Sequence, residues 1–193
     1  MSNIYKKKYE DLTEAPIHWS VRFGENCRIG HYTTIDEDCI IGNNVLIGHG
    51  SHIRSNVKIG NNTVVGHNVI IESDTAVGNY VTIQSQCHIT KFATIMDRCF
   101  FGPKAMCINT YHISHGRNFS PKLNGPIFGF GCRVGAGSKI MPGVTLGREC
   151  EIGVGAVVTK DCEPFKVYVG IPAKFKRDVH KDEKLDDNLY TLL

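Results

Sequence analysis

Large apolar residues recur every six positions without a break at fourteen successive sites: Phe23, Ile29, Ile35, Ile41, Ile47, Ile53, Ile59, Val65, Ile71, Val77, Ile83, Ile89, Ile95 and Phe101. The residue after each anchor is often glycine, as at Gly24, Gly30, Gly42, Gly48, Gly60, Gly66, Gly78 and Gly102. Four positions after the anchor stands a small or β-branched residue, such as Cys27, Thr33, Val45, Ser51, Val57 or Thr63. A fixed short period marks a chain whose units bury a continuous core only by stacking on their neighbours. The even period preserves strand alternation, while Gly, Asn and Asp punctuation demands a turn every few residues. Three six-residue units close one triangular coil, and the next coil lies one β-spacing, ~4.8 Å, away. The reading is an all-β parallel β-helix. Its anchors fill the prism corners, the small residues fit beside them, and glycine supplies turn angles that a Cβ would penalise.

Residues one coil apart should stack. One column of turn residues reads Asn43, Asn61, Asn79, Asp97 and another His31, His49, His67. Asparagine suits such a ladder because it tolerates left-handed backbone and can bond along the stack. The phase breaks after Phe101 and resumes at Phe128, Val134, Ile140, Leu146, Ile152 and Val158. The intervening segment, 108–126, reads as a loop thrown out from one coil edge, where insertions into a solenoid often carry function. The expected organisation is an N-terminal arm over 1–16, the β-helix over 17–175 with this loop, and a charged, aperiodic C-terminal tail or short helix over 176–193.

Cys27, Cys39, Cys87, Cys99, Cys132, Cys150 and Cys162 fall at the small inward position; Cys107 alone does not. With no Cys-x-x-Cys pair, they read as core fillers in a reducing compartment. A formal charge of +3 spread along 193 residues leaves no nucleic-acid footprint, and Lys6-Lys7-Lys8 reads as a solvated terminus. No apolar run approaches ~18 residues and no signal peptide is legible at the N-terminus, so the expectation is a cytoplasmic protein without a membrane partner.

His112 stands in the extruded loop. Its side chain has the ordinary chemistry of a general base near neutrality, and His115 is its competitor. Acyl transfer from a thioester to an amine or hydroxyl needs such a group, together with oxyanion donors and a slot for the pantetheine arm.

The stretches Ser138–Gly147, Ile152–Asp161 and Val169–Lys174 resemble the C-terminal coils of the hexapeptide-repeat acetyltransferases, whose helix is left-handed. The resemblance spans about residues 17–175. It implies acetyl-CoA as co-substrate and a homotrimer with coenzyme A between neighbouring subunits. It further implies pantetheine contacts at Gly135, Ala136 and Ala156, and nucleotide-phosphate contacts from Lys160 and Lys174, which otherwise read as a solvated edge. Val81–Gln86, Ala93–Pro103 and Asn109 are similar to the N-acetyltransferases of nucleotide-linked 3-amino sugars. That likeness implies sugar or nucleotide-sugar contacts from Gln84, Gln86 and His115, with Asn109 and His112 at the reacting group, His112 as base or as positioning residue.

Sugar-hydroxyl O-acetyltransferases of the galactoside and maltose type carry their catalytic base in a stretch matched here by Asn109-Thr-Tyr-His112. They also carry a tryptophan where this chain has Arg133. A gamma-type zinc carbonic anhydrase is a third reading, but its pair of histidines five residues apart is missing, so no metal ligands are assigned. A non-catalytic scaffold is the fourth.

Overall fold

The computed structural model describes residues 17–186 and 188; the expected arm over 1–16 lies outside them. Each six-residue unit contributes a two-residue strand and a two-residue turn, and every third strand pairs in parallel with the one a coil below. The result is a three-faced solenoid. The first face runs from Arg22–Phe23 to Thr145–Leu146 and the third from Thr34–Ile35 to Val157–Val158, with seven strands each. The second runs from Arg28–Ile29 through Glu151–Ile152 and continues into a terminal hairpin, making nine. Each face is followed by a corner, called here by the same ordinal.

The anchors do not occupy the corners. Each is the second residue of a strand, on the flat side of the prism, pointing into a core in which Ile35, Ile53, Ile71, Ile83 and Ile89 are fully buried. Each such isoleucine contributes ~2–3 kcal/mol of burial. The glycines also act differently from expectation. Positive φ falls two residues later, on the second turn residue: Asn26 (56°), Asn44 (55°) and Asn62 (56°) at the first corner, Tyr32 (61°) at the second, Phe92 (65°) at the third. Glycine after the anchor is instead a matter of coil spacing. A Cβ on Gly60 would lie 2.6 Å from the backbone carbonyl of Gly78, and one on Gly48 equally near Gly66.

The asparagine ladder bonds along the stack as anticipated, through the residue just before the left-handed one. The Oδ1 atoms of Asn43, Asn61, Asn79 and Asp97 accept the backbone N–H groups of Glu25, Asn43, Asn61 and Asn79, at 2.7–2.8 Å.

The phase runs one unit further than the sequence suggests. Cys107 fills an anchor slot in strand Met106–Cys107, and the next strand of the solenoid is Ile127–Phe128. That strand pairs with Thr94–Ile95 in the ordinary register, so the inserted segment leaves the third corner without disturbing the stack. All eight cysteines are free thiols in the core, where burial raises those of Cys39 and Cys87 to about 11.

A strand hairpin leads into the segment expected to be a tail or short helix. Lys166–Val169 adds to the second face and Lys174–Asp178 returns antiparallel to it, followed by a 3-10 turn at Lys181–Glu183. Arg177 and Glu183 pair at 2.7 Å, which lowers the Glu183 carboxyl to about 2. Beyond the turn, the Leu185 N–H donates to the carboxylate of Glu149, a buried residue at φ 50°. Burial raises the Glu149 carboxyl, with the Leu185 N–H and Arg133 opposing.

These two carboxyls titrate in opposite senses. The folded chain binds the Glu149 proton more tightly than the unfolded chain, so ionised Glu149 subtracts stability at neutral pH and the penalty fades on acidification. The Glu183 contribution is complete above the unfolded carboxyl value and is lost as pH falls toward about 2. Thermal melts should show Glu149→Gln raising Tm at pH 7 but not at pH 4. Glu183→Gln should lower Tm at pH 7, with the difference vanishing in strong acid.

Candidate functional site

The residues expected to act together fall on two corners. Gln84, Gln86, Gly135 and Ala136 lie at the second corner, and Ala156 begins the third-face side just beyond it. Asn109, His112, His115 and Lys160 belong to the third corner and its loop. The third face separates the two groups by about five residues of extended chain, ~16 Å. Lys174 stands on the terminal hairpin paired with Val169, near the upper end of the second corner.

The second corner changes character along its length. In its lower coils each turn amide is capped by the side chain one coil above: His31 N–H by His49 Nδ1 (2.8 Å), His49 N–H by His67 Nδ1 (2.9 Å), His67 N–H by Ser85 Oγ (3.2 Å). Accepting at Nδ1 places the proton of each neutral ring on Nε2. The rings stack at 5.2 Å, which gives the histidine column a structural role.

Above Ser85 the residues at the capping position are Pro103, Ala136 and Val154, none of which has a polar side chain. Among the described residues the turn N–H groups of Ser85, Ala136 and Val154 have no partner. The next turn positions are Gly137 and Gly155, at φ 68° and 69°, and a Cβ on either would meet nothing within 4 Å. The upper second corner is therefore a bare backbone edge with open donors and room beside them. A flat, amide-bearing chain can lie there and exchange hydrogen bonds with it.

The loop presents a different surface. Its base is clasped by the Asn124 N–H donating to the Asn109 carbonyl (2.7 Å) and the Gly143 N–H donating to that of Asn124 (2.9 Å). His112 is exposed. Its ring meets Phe119 edge-on at 6.4 Å, and its backbone N–H bonds Thr110 Oγ1 at 3.2 Å. Tyr111, Ile113 and Phe119 also project into solvent, Ile113 at 81% exposure, an apolar display suited to being covered. Arg133 points outward on the second face and pairs with Glu151 at 2.9 Å.

Sequence reasoning missed the third face. The glycine after the anchor is present at six of seven coils on the first face and six of seven on the second, and at none on the third. There the positions are Asp36, Arg54, Glu72, Thr90, Ile108, Met141 and Thr159. Sorting the glycines by coil side would have revealed this. Among the described residues no group of three His, Cys, Asp or Glu could hold a metal ion, and no helix is long and apolar enough to cross a membrane.

The family model described as bacterial transferase hexapeptide (six repeats) matches residues 20–55, 38–73, 50–91 and 125–160, together more than half of the chain. A Staphylococcus aureus (strain Mu50) protein bearing the name acetyltransferase is 39% identical over 84 residues, covering 42% of this chain and 40% of that protein. The chain thus matches about two fifths of that relative's length.

Among solved structures, AntD, an N-acyltransferase from Bacillus cereus in complex with dTDP and coenzyme A, superposes with a TM-score of 0.58. The identity is 19%, and 100% of this chain and 97% of that one are covered. The polySia-specific acetyltransferase NeuO gives 0.57 at 20% identity over 90% and 96%. At these identities the likeness is one of fold.

The uncapped edge makes a prediction independent of any ligand. Val154→Asn places an acceptor over the Ala136 N–H, as Asn61 does over Asn43. It should raise unfolding stability by about 1 kcal/mol in denaturant titration.

Proposed function

The chain belongs to the bacterial transferase hexapeptide family, and on that premise we propose that it is an acetyl-CoA-dependent N-acetyltransferase acting on the amino group of a nucleotide-linked amino sugar of the 3-amino-dideoxyhexose type. The observation that carries the reading is the bare upper second corner. The pantetheine arm is a flat chain with two amides, and the open N–H groups of Ala136 and Val154 match its carbonyls. Gly135 and Ala156 complete that edge, with Lys160 and Lys174 toward the nucleotide phosphates. The same open amides can steady the oxyanion that forms when the thioester is attacked.

The acceptor lies toward the third corner. Asn109, His112 and His115 on the loop contact the reacting end, and Gln84 and Gln86 supply polar contacts to sugar. A homotrimer accounts for the split between corners. With closed three-fold symmetry each neighbour covers the exposed apolar loop, and the third face becomes the floor of a cleft bounded by both corners. Support for a nucleotide-sugar acceptor comes from AntD, whose solved complex holds dTDP and coenzyme A on the same fold. The second reading is O-acetylation of a sugar hydroxyl, favoured by the loop position of His112; Arg133, committed to Glu151, argues for the amine.

Thiol release from acetyl-CoA, assayed against nucleotide-linked 3-amino and 4-amino sugars, free amino sugars and galactosides, distinguishes these readings. Turnover is expected on a nucleotide-linked 3-amino sugar. Turnover confined to galactosides would establish the O-acetyl branch, and silence on every acceptor would contradict the transferase reading.

A further inference from the structure

Because no glycine follows its anchors, the third face carries two outward columns of side chains. In the lower coils they are Asp36, His52, Arg54, Ile70, Glu72 and His88; Met106 and Ile108 follow in the coil above His88. The His88 strand pairs directly with Met106, in the coil from which the loop departs, and Lys91 at the end of the same side lies one coil below Asn109.

His88 Nε2 lies 3.4 Å from Glu72 Oε1. The other oxygen of Glu72 accepts the Lys91 N–H at 2.8 Å and the Thr90 hydroxyl at 3.2 Å, and Thr90 is itself buried. The carboxylate is thus fixed by two donors from the coil above while facing the imidazole. With Nε2 turned toward that carboxylate, Nδ1 is the ring nitrogen with no partner among the described residues. The side chain of His88 is 34% exposed, enough to be reached from the cleft. His112, by contrast, has no carboxylate partner among the described residues.

We propose that His88 is the proton acceptor for an ammonium-bearing acceptor and that Glu72 is its positioning residue, with His88 one coil below the strand from which the loop departs. The assignment rests on the transferase reading and deepens it. The acceptor arrives as R–NH3+ and gives one proton to His88 Nδ1. The freed lone pair of the amine forms the C–N bond to the thioester carbonyl. The C–S bond then breaks with its electron pair on sulfur, which takes up the second amine proton. The products are the amide and the free thiol, and the imidazolium returns its proton to water. Met106 and Ile108 supply the apolar ground for the acetyl group, and His112 and Asn109 orient the amine-bearing end of the acceptor.

The test is steady-state kinetics of the full chain with acetyl-CoA and the best acceptor, comparing His88→Ala, Glu72→Gln and His52→Gln. His52 faces Asp36 at 3.2 Å in a similar pair two coils below and is the control. His88→Ala should lose roughly 10²–10⁴-fold in kcat with KM little changed, and added imidazole should restore part of it. Glu72→Gln should lose less, also in kcat, and His52→Gln should match wild type. Wild-type turnover with His88→Ala equally fast overturns the assignment alone. So does a slow His88→Ala that imidazole fails to rescue, the result of a purely structural role. Wild type inert on every acceptor overturns the transferase reading and the assignment with it.

Discussion

Successive coils are held one strand spacing apart by backbone hydrogen bonds between neighbouring strands of the same face, and that spacing governs everything built on the solenoid. Where two coils meet just past an anchor, a Cβ would stand within van der Waals contact of the backbone above, so the first two faces use glycine almost throughout. Where the chain turns, a left-handed residue reverses it, and the amide just before that residue lies outside the strand ladder. Asn, His, Asp and Ser side chains from the next coil supply it with an acceptor along two corners. These local rules are relaxed at the second corner once the caps run out and on the third face where glycine is absent.

The two departures flank one another. The uncapped edge at Ala136 and Val154 and the loop at the third corner bound opposite sides of the third face, which carries the only two-column outward surface among the described strands. A solenoid cannot dig a pocket into its own core without losing stability, because every anchor from Ile35 to Val158 is buried. A depression of about 650 Å³ beside Arg28, Leu46 and Val64 lies on the outer second face in the lower coils, away from both corners of interest. A binding site on such a molecule is therefore assembled from surface features, which is why the proposal calls on a neighbouring subunit to close it.

Much of the fold was legible because the period of six is enforced at every coil. Anchor positions, inward cysteines and bonding along the asparagine column could all be read from spacing. Three details could not. Cys107 occupies an anchor slot although its size suggests a filler, since the bulk above and below it suffices. The glycines looked like turn residues, yet the turn falls two positions later on Asn, Tyr, Phe and Arg, whose φ values only the closed coil imposes. The hairpin of Lys166–Val169 and Lys174–Asp178 escaped notice because it abandons the period of six, its first strand joining the second face at Glu151–Ile152 and its second returning antiparallel. Of the candidate site, the loop and its histidines were visible as a break in phase. The cap pattern that distinguishes Ala136 and Val154 from His31 and His49 appears only when residues are sorted by corner.

The central claim is that the open turn amides of the upper second corner receive the pantetheine arm. Amide hydrogen exchange followed by NMR, with and without coenzyme A, tests it residue by residue. The account predicts that the Ala136 and Val154 amides exchange quickly alone and become protected on addition, while His31 and His49, already capped, are unchanged. Protection that bypasses Ala136 and Val154, or slow exchange there before any ligand is added, would contradict it.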